Sequence, residues 1–214
     1  MQPEFWIVAG PNGAGKTTCV QREPIRTILP PVHFVNPDNR TLEKLQAAGF
    51  QGFHDAPADV QTRLFIESAD EVYADSANRL AAGESVGVET VLSSTKYCSL
   101  VRWVRQHRGT VRLIYVCLNS PDLARDRVAR RVKLRGHGIP DDKVAARWRR
   151  SLQFLTWFAG QADEFWVIDN SDTNPDHGPT LAAYGNYGFI ETLSDLTFPE
   201  LRTALAALPR VNAN

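Results

Sequence analysis

Phe5-Trp6-Ile7-Val8-Ala9-Gly10-Pro11-Asn12-Gly13-Ala14-Gly15-Lys16-Thr17-Thr18 decides the fold. Its first five residues are a short, continuous apolar run of strand formers, the pattern of a parallel strand buried on both faces. Gly10 to Thr17 then fits the spacing GxxxxGK[ST] at every fixed position. Glycines at these places let the backbone curl until successive N–H groups point at phosphate oxygens. The helix that follows adds its positive N-terminus. Lys16 is spaced to reach the β- and γ-phosphates, and the Thr17 hydroxyl to reach Mg²⁺. That helix should begin at Lys16-Thr17-Thr18 and stop before Pro24 or Pro30-Pro31. The candidate nucleotide-binding residues are therefore Gly10, Pro11, Asn12, Gly13, Ala14, Gly15, Lys16, Thr17 and Thr18, although the Thr18 hydroxyl could equally serve helix packing.

Outward from this loop, strands alternate with helices. Further short strands are expected at residues 32–36, 86–92, 111–118 and 165–168. Helices are expected over 41–48, 57–83, 97–107, 120–134 and 142–158, with a terminal helix from Pro199. Residues 171–179 read as a polar, turn-rich loop. Alternation of this kind implies right-handed βαβ units. The expectation is one α/β domain over 1–214, a P-loop NTPase-type three-layer sandwich. It would have a central parallel sheet of about five strands and a basic helical lid at about 125–150.

Composition sets limits on this reading. The chain has 214 residues, 43% apolar and 22% charged, which excludes disordered, collagen-like and membrane classes. The three cysteines, Cys19, Cys98 and Cys117, include no CxxC pair. That excludes a disulfide framework and a zinc site built from neighbouring thiolates. His33, His54, His107 and His177 show no metal-ligand spacing. Met1-Gln2-Pro3-Glu4 carries no basic region, and the apolar run at 5–9 is too short for a signal segment or a span. A soluble, cytoplasmic protein with no membrane partner is expected.

In parallel α/β sheets, ligands bind beyond the carboxyl ends of the strands. Asp38 follows the second strand, Glu89 and Thr90 lie in the third, and Asp169 follows the fifth. A kinase needs a carboxylate to accept the proton of the attacking hydroxyl. Asp38 could also be an Asx-turn or helix cap. Glu89 among Val86, Val88, Val91 and Leu92 is costly to bury unpaired, so a salt bridge is its other reading. No further strand end supplies a carboxylate for Mg²⁺, which would rest on Thr17, the phosphates, water and Asp38 or Glu89.

Residues 125–150 hold ten basic side chains against three acidic ones, whereas the whole chain balances 24 against 24. Arg127 and Arg131 are four apart and share a helix face; Arg147 and Arg150 are three apart. Two basic helices joined by a Gly-rich turn suit a lid whose arginines neutralise charge on a transferred phosphoryl group. A nucleic-acid groove or a solvated surface would use the same residues. His137, in the turn, could act as an acid or base or simply fix the turn.

Taken in order, Gly10 to Thr18, Val35-Asn36-Pro37-Asp38, Glu89-Thr90-Val91-Leu92-Ser93, Arg127-Val128 through Arg131-Val132, Gly136-His137, Ile139-Pro140 and Arg147-Trp148-Arg149-Arg150-Ser151-Leu152 resemble the zeta-toxin-like P-loop kinases in their compact branch. The likeness spans about residues 5–170. Arg135 stands where the lid motif usually has its first Gly. The resemblance implies a phosphotransferase using ATP or GTP with Mg²⁺. The best-known zeta toxins phosphorylate UDP-N-acetylglucosamine on a sugar hydroxyl and are held inactive by an antitoxin. It further implies Lys16 and Thr17 on phosphate and metal, and Asp38 as general base. Glu89 and Thr90 would sit in the substrate site, and Arg131, with Arg127, Arg147 and Arg150, would be the lid arginines. A small hydroxyl compound is thus the expected substrate and an antitoxin a candidate partner. A nucleotide-dependent nucleic-acid-binding module and a non-catalytic NTP-binding regulator are the competing functions.

Overall fold

The strand-forming runs assemble into one sheet around the strand that feeds the phosphate loop. A computed structural model describes residues 2–210 apart from Pro24, Arg135, His137, Pro175 and Leu196. Strands β1 (Glu4–Ala9), β2 (His33–Val35), β3 (Val86–Thr90), β4 (Thr110–Cys117) and β5 (Glu164–Asp169) are all parallel, as the apolar runs require. Two more strands, β6 (Thr180–Asn186) and β7 (Phe189–Leu193), extend the sheet as an antiparallel hairpin, giving the order β2-β3-β1-β4-β5-β6-β7. β1 sits between β3 and β4, where connections leave in opposite directions, the usual ligand crevice of such sheets.

The hairpin carries no apolar stripe that would mark it in the sequence. The core-facing residues of β6 are small, Ala182, Ala183 and Gly185, and all are buried. A Cβ at Gly185 would lie 2.4 Å from the Phe165 ring, so a larger residue does not fit. The two-residue turn places Tyr187 at φ 47° and Gly188 at φ 79°, the left-handed pair that matches strand twist.

The helices are α1 (Lys16–Cys19), α2 (Ile25–Ile28), α3 (Pro37–Ala47), α4 (Ala58–Ala81), α5 (Cys98–Gln106), α6 (Pro121–Lys133), α7 (Asp141–Gln161) and α8 (Pro199–Leu205). Ser120 caps α6 as its position before Pro121 requires, with Oγ accepting from Leu123 N at 3.2 Å. α5 and α7 lie side by side, since Arg105 donates to Gln161 O at 2.8 Å and Arg102 lies over the Trp157 ring. Both flanks of β1 and β4 are covered: Phe5, Ile7, Ala9, Leu113, Ile114 and Tyr115 are wholly buried. The three thiols are buried too.

Candidate functional site

The parallel register sets the height of the site. Glu89 pairs with Val8 and Thr90 with Ala9, so both lie level with the last turn of chain before Gly10. The phosphate loop then bends as its glycines permit. Gly13 has φ +78°, and a Cβ there would lie 2.7 Å from Ala124 O on α6. Lys16 Nζ donates to Gly10 O at 3.1 Å, which parks the ammonium across the loop mouth. Burial pulls its pKa below the ordinary lysine value; Glu89 and Asp38 oppose that fall and Arg131 adds to it. Thr17 Oγ1 donates to Glu89 Oε2 at 2.9 Å. A hydroxyl and a carboxylate side by side are hard oxygen donors of the kind Mg²⁺ takes. That contact brings Glu89 beside the Thr17 hydroxyl, and both line the same cavity.

Asp38 reaches the site because another residue does the capping. Asn36 Oδ1 accepts from Asp38 N at 2.8 Å, Pro37 takes the first helical position, and α3 therefore begins four residues before the helix expected at 41. The Asp38 carboxylate is left to the cavity. On the opposite wall stand Arg131 from α6 and Arg147 and Arg150 from α7. Burial and Arg150 lower the pKa of Arg147, and Asp38 counters them. α7 is fixed to the strand ends: Tyr115 donates to Ser151 Oγ at 2.9 Å, and Ser151 donates to Val91 O at 2.7 Å. The next residue, Leu92, is buried at φ 57°, a conformation costly for a branched side chain, and it lines the same cavity.

One cavity of about 530 Å³ thus brings together Asn12, Lys16, Thr17, Asp38, Glu89, Thr90, Arg131, Arg147 and Arg150. Residues not anticipated complete it. Leu42, Phe53 and Phe65 form an apolar wall, and Lys96 adds a cation paired with Asp70 at 2.6 Å. Phe53 belongs to a second small core with Leu45, Ala56 and Leu64; two phenylalanines, Phe50 and Phe53, in a short connection were the available signal. Asn170, just after β5, was not among the expected site residues; its Nδ2 donates to Ala14 O at 2.8 Å and ties the loop after β5 to the phosphate loop.

Three expectations need revising or stand apart. Arg127 does not join Arg131, Arg147 and Arg150 in the cavity wall. It lies beyond the cavity, on α6 where that helix crosses Gly13, and donates to Asp172 O at 3.2 Å. Thr18 is exposed on α1 and lies outside the cavity wall. His137 falls outside the described residues.

No protein-family model and no curated protein sequence matches the chain. Solved structures do. A chain of the AvrRxo1-ORF1:AvrRxo1-ORF2 complex with sulphate ions is 15% identical with a TM-score of 0.61; the match covers 91% of this chain but 62% of that one. The same complex was solved with ATP. A candidate kinase of Chloroflexus aurantiacus is 18% identical over 71% of this chain and 79% of its own, with a TM-score of 0.52. A chain of the PezAT chromosomal toxin–antitoxin system of Streptococcus pneumoniae is 12% identical over 79% of this chain and 69% of its own, with a TM-score of 0.53. With a phosphate-loop motif on the central strand, a mostly parallel sheet between helices and a basic helical hairpin beside the loop, the chain shares its fold with these chains of the AvrRxo1-ORF1:AvrRxo1-ORF2 complex and the PezAT system.

Proposed function

We propose that the chain is an ATP- or GTP-dependent phosphotransferase that phosphorylates a hydroxyl of a small metabolite, as the toxin of a toxin–antitoxin pair. One observation carries this reading: Asp38 and three lid arginines share a single cavity with Lys16 at the open end of the phosphate loop. Residues 10–17 would hold the triphosphate. Thr17 and Glu89 would hold Mg²⁺, which when bound neutralises charge on the β- and γ-phosphates. Asp38 accepts the acceptor's hydroxyl proton as its oxygen bonds to the γ-phosphorus. The bond from that phosphorus to the β–γ bridging oxygen breaks, and the nucleoside diphosphate leaves with the electron pair. Arg131 and Arg147 stabilise the charge on the moving phosphoryl group.

The cavity's cations and its apolar wall of Leu42, Phe53 and Phe65 suit an acceptor that is anionic and partly apolar. UDP-N-acetylglucosamine meets both requirements and is the first acceptor to test. The basic hairpin favours this reading over a nucleic-acid groove, because Arg131, Arg147 and Arg150 face the cavity while Arg125 is paired with Asp122. The toxin role and an antitoxin partner are supported by the likeness to the PezAT system. No helix among the described residues is long and apolar enough to cross a membrane, in keeping with a cytoplasmic setting.

The test is transfer of label from γ-labelled ATP and GTP, first to UDP-N-acetylglucosamine and then to a bacterial metabolite extract. A labelled small molecule that disappears with Lys16→Ala is the expected result. Binding of nucleotide without any labelled product would leave the non-catalytic regulator as the function.

A further inference from the structure

The phosphate loop is braced by a residue that lies outside it. Asn170 stands just after β5, and its backbone N donates to Cys117 O at the end of β4 at 3.2 Å. The turn that follows is tied down as well. Asn119 N donates to Ser171 Oγ at 2.8 Å, and Ser171 N donates to Asp169 Oδ1 at 2.9 Å. From this fixed stem the half-buried Asn170 side chain donates from Nδ2 to Ala14 O at 2.8 Å. A carbonyl can only accept, which fixes the nitrogen side of the amide toward it. Ala14 is wholly buried, so its carbonyl needs such a partner. A Cβ at Gly15 would lie 2.7 Å from the same nitrogen, so a glycine there makes room for the amide.

This bond also sets an orientation. Ala14 C=O and Gly15 N–H belong to one planar trans peptide, in which the two groups point in opposite directions. Holding Ala14 O toward Asn170 therefore turns the Gly15 N–H away from the loop after β5. The neighbouring donor is already spent, since Ala14 N donates to Pro11 O at 3.2 Å within the loop. Among the described residues, nothing accepts from Gly15 N. Gly15 itself sits at φ +77°, a conformation that suits glycine. The result is a backbone donor fixed from behind and left open in front, the arrangement a phosphate oxygen needs.

We propose that Asn170 is a positioning residue of the phosphate site: by holding Ala14 O it presets the Gly15 N–H to donate to a phosphate of the nucleotide, without touching the nucleotide itself. The proposal rests on the phosphotransferase reading. A donor aimed in advance needs no reordering when the ligand arrives, and that is the source of its contribution to affinity. Because the effect acts on phosphate alone, it is the same for any nucleoside.

The full chain, isotope-labelled on nitrogen, is titrated with ATP, GTP and inorganic tripolyphosphate in the presence of Mg²⁺, as wild type, Asn170→Ala and Asn170→Asp. Affinity for all three ligands should fall by one common factor, about tenfold for Asn170→Ala. Asn170→Asp, which turns an oxygen toward Ala14 O, should lose more. At saturation the Gly15 amide proton of the wild type should move downfield in the NMR spectrum, as a bond to a phosphate oxygen requires. It should move less in both variants, while the other amides keep their dispersion. Wild-type affinity in Asn170→Asp would mean that no donated bond is needed and would overturn the proposal. A loss confined to ATP and GTP would make Asn170 a contact to the nucleoside, again against it. Weakened binding with an unchanged Gly15 shift would also count against positioning. Loss of dispersion in both variants would make the bond a condition of folding instead. A wild type that binds none of the three ligands would overturn the phosphotransferase reading itself.

Discussion

Asp38 owes its place to the division of labour in Asn36-Pro37-Asp38. Asn36 satisfies the exposed N–H at the start of α3, so replacing the Asp38 carboxylate leaves the cap intact. Asp38→Asn is also nearly isosteric. It removes the proposed proton acceptor and one of the two carboxylates that hold up the pKa of Lys16. The fold and the nucleotide affinity should persist, while kcat falls by about 10²–10⁴, the usual worth of a general base. Steady-state kinetics beside a nucleotide titration separate the two effects. A variant with wild-type kcat would mean that another group takes the proton. Arg127 and Arg131 show the limit of residue spacing. Four residues share a face but stand about 6 Å apart along the axis. That distance is enough to put Arg131 in the cavity wall and Arg127 beyond it, bonded to Asp172 O.

α7 carries Arg147 and Arg150 toward the cavity, and its position depends on Ser151. That hydroxyl accepts from the fully buried Tyr115 and donates to Val91 O, at the strained turn through Leu92. Ser151→Ala leaves the Tyr115 hydroxyl buried and unpaired, which costs about 1–3 kcal/mol. Adding Tyr115→Phe removes that orphan, so the double variant should recover part of the loss. Urea unfolding of the two single variants and the double one checks this. Strict additivity would mean that the two hydroxyls do not interact. Elements of this kind were legible where period and punctuation agree. The apolar run of β1, the 24-residue α4 that stops just before Gly83 and the Ser120-Pro121 start of α6 were all expected. β6 and β7 were not, because Ala182, Ala183 and Gly185 meet the core with side chains too small to register as hydrophobic. The contacts through Asn170 and Ser151 were equally hidden, since they join residues 156 and 60 positions apart.

Across the whole molecule, neutrality is a cancellation. The hairpin at 125–150 holds ten cations against three anions, and the remainder has 14 against 21. Three of those cations, Arg131, Arg147 and Arg150, line the cavity with Lys16, a field that would draw polyanions to the loop. The three cysteines offer an independent view of how firmly that region is held. Burial raises the Cys19 thiol to about 11 and the Cys117 thiol well above its ordinary value, and Cys98 is also raised by burial. All three should resist a thiol reagent at about pH 8, where an exposed cysteine is partly thiolate. Their routes to exposure differ. Cys19 ends the single turn of α1, with few bonds to break, whereas Cys117 ends β4, which is buried from Leu113 onward. Local opening should therefore expose Cys19 before the global unfolding that frees Cys117. A ligand on residues 10–17 stabilises the closed form by mass action. Mg²⁺ with ATP should thus slow modification of Cys19 far more than that of Cys117, followed site by site by mass spectrometry. Equal slowing at both would mean that the loop and its helix open only with the whole molecule.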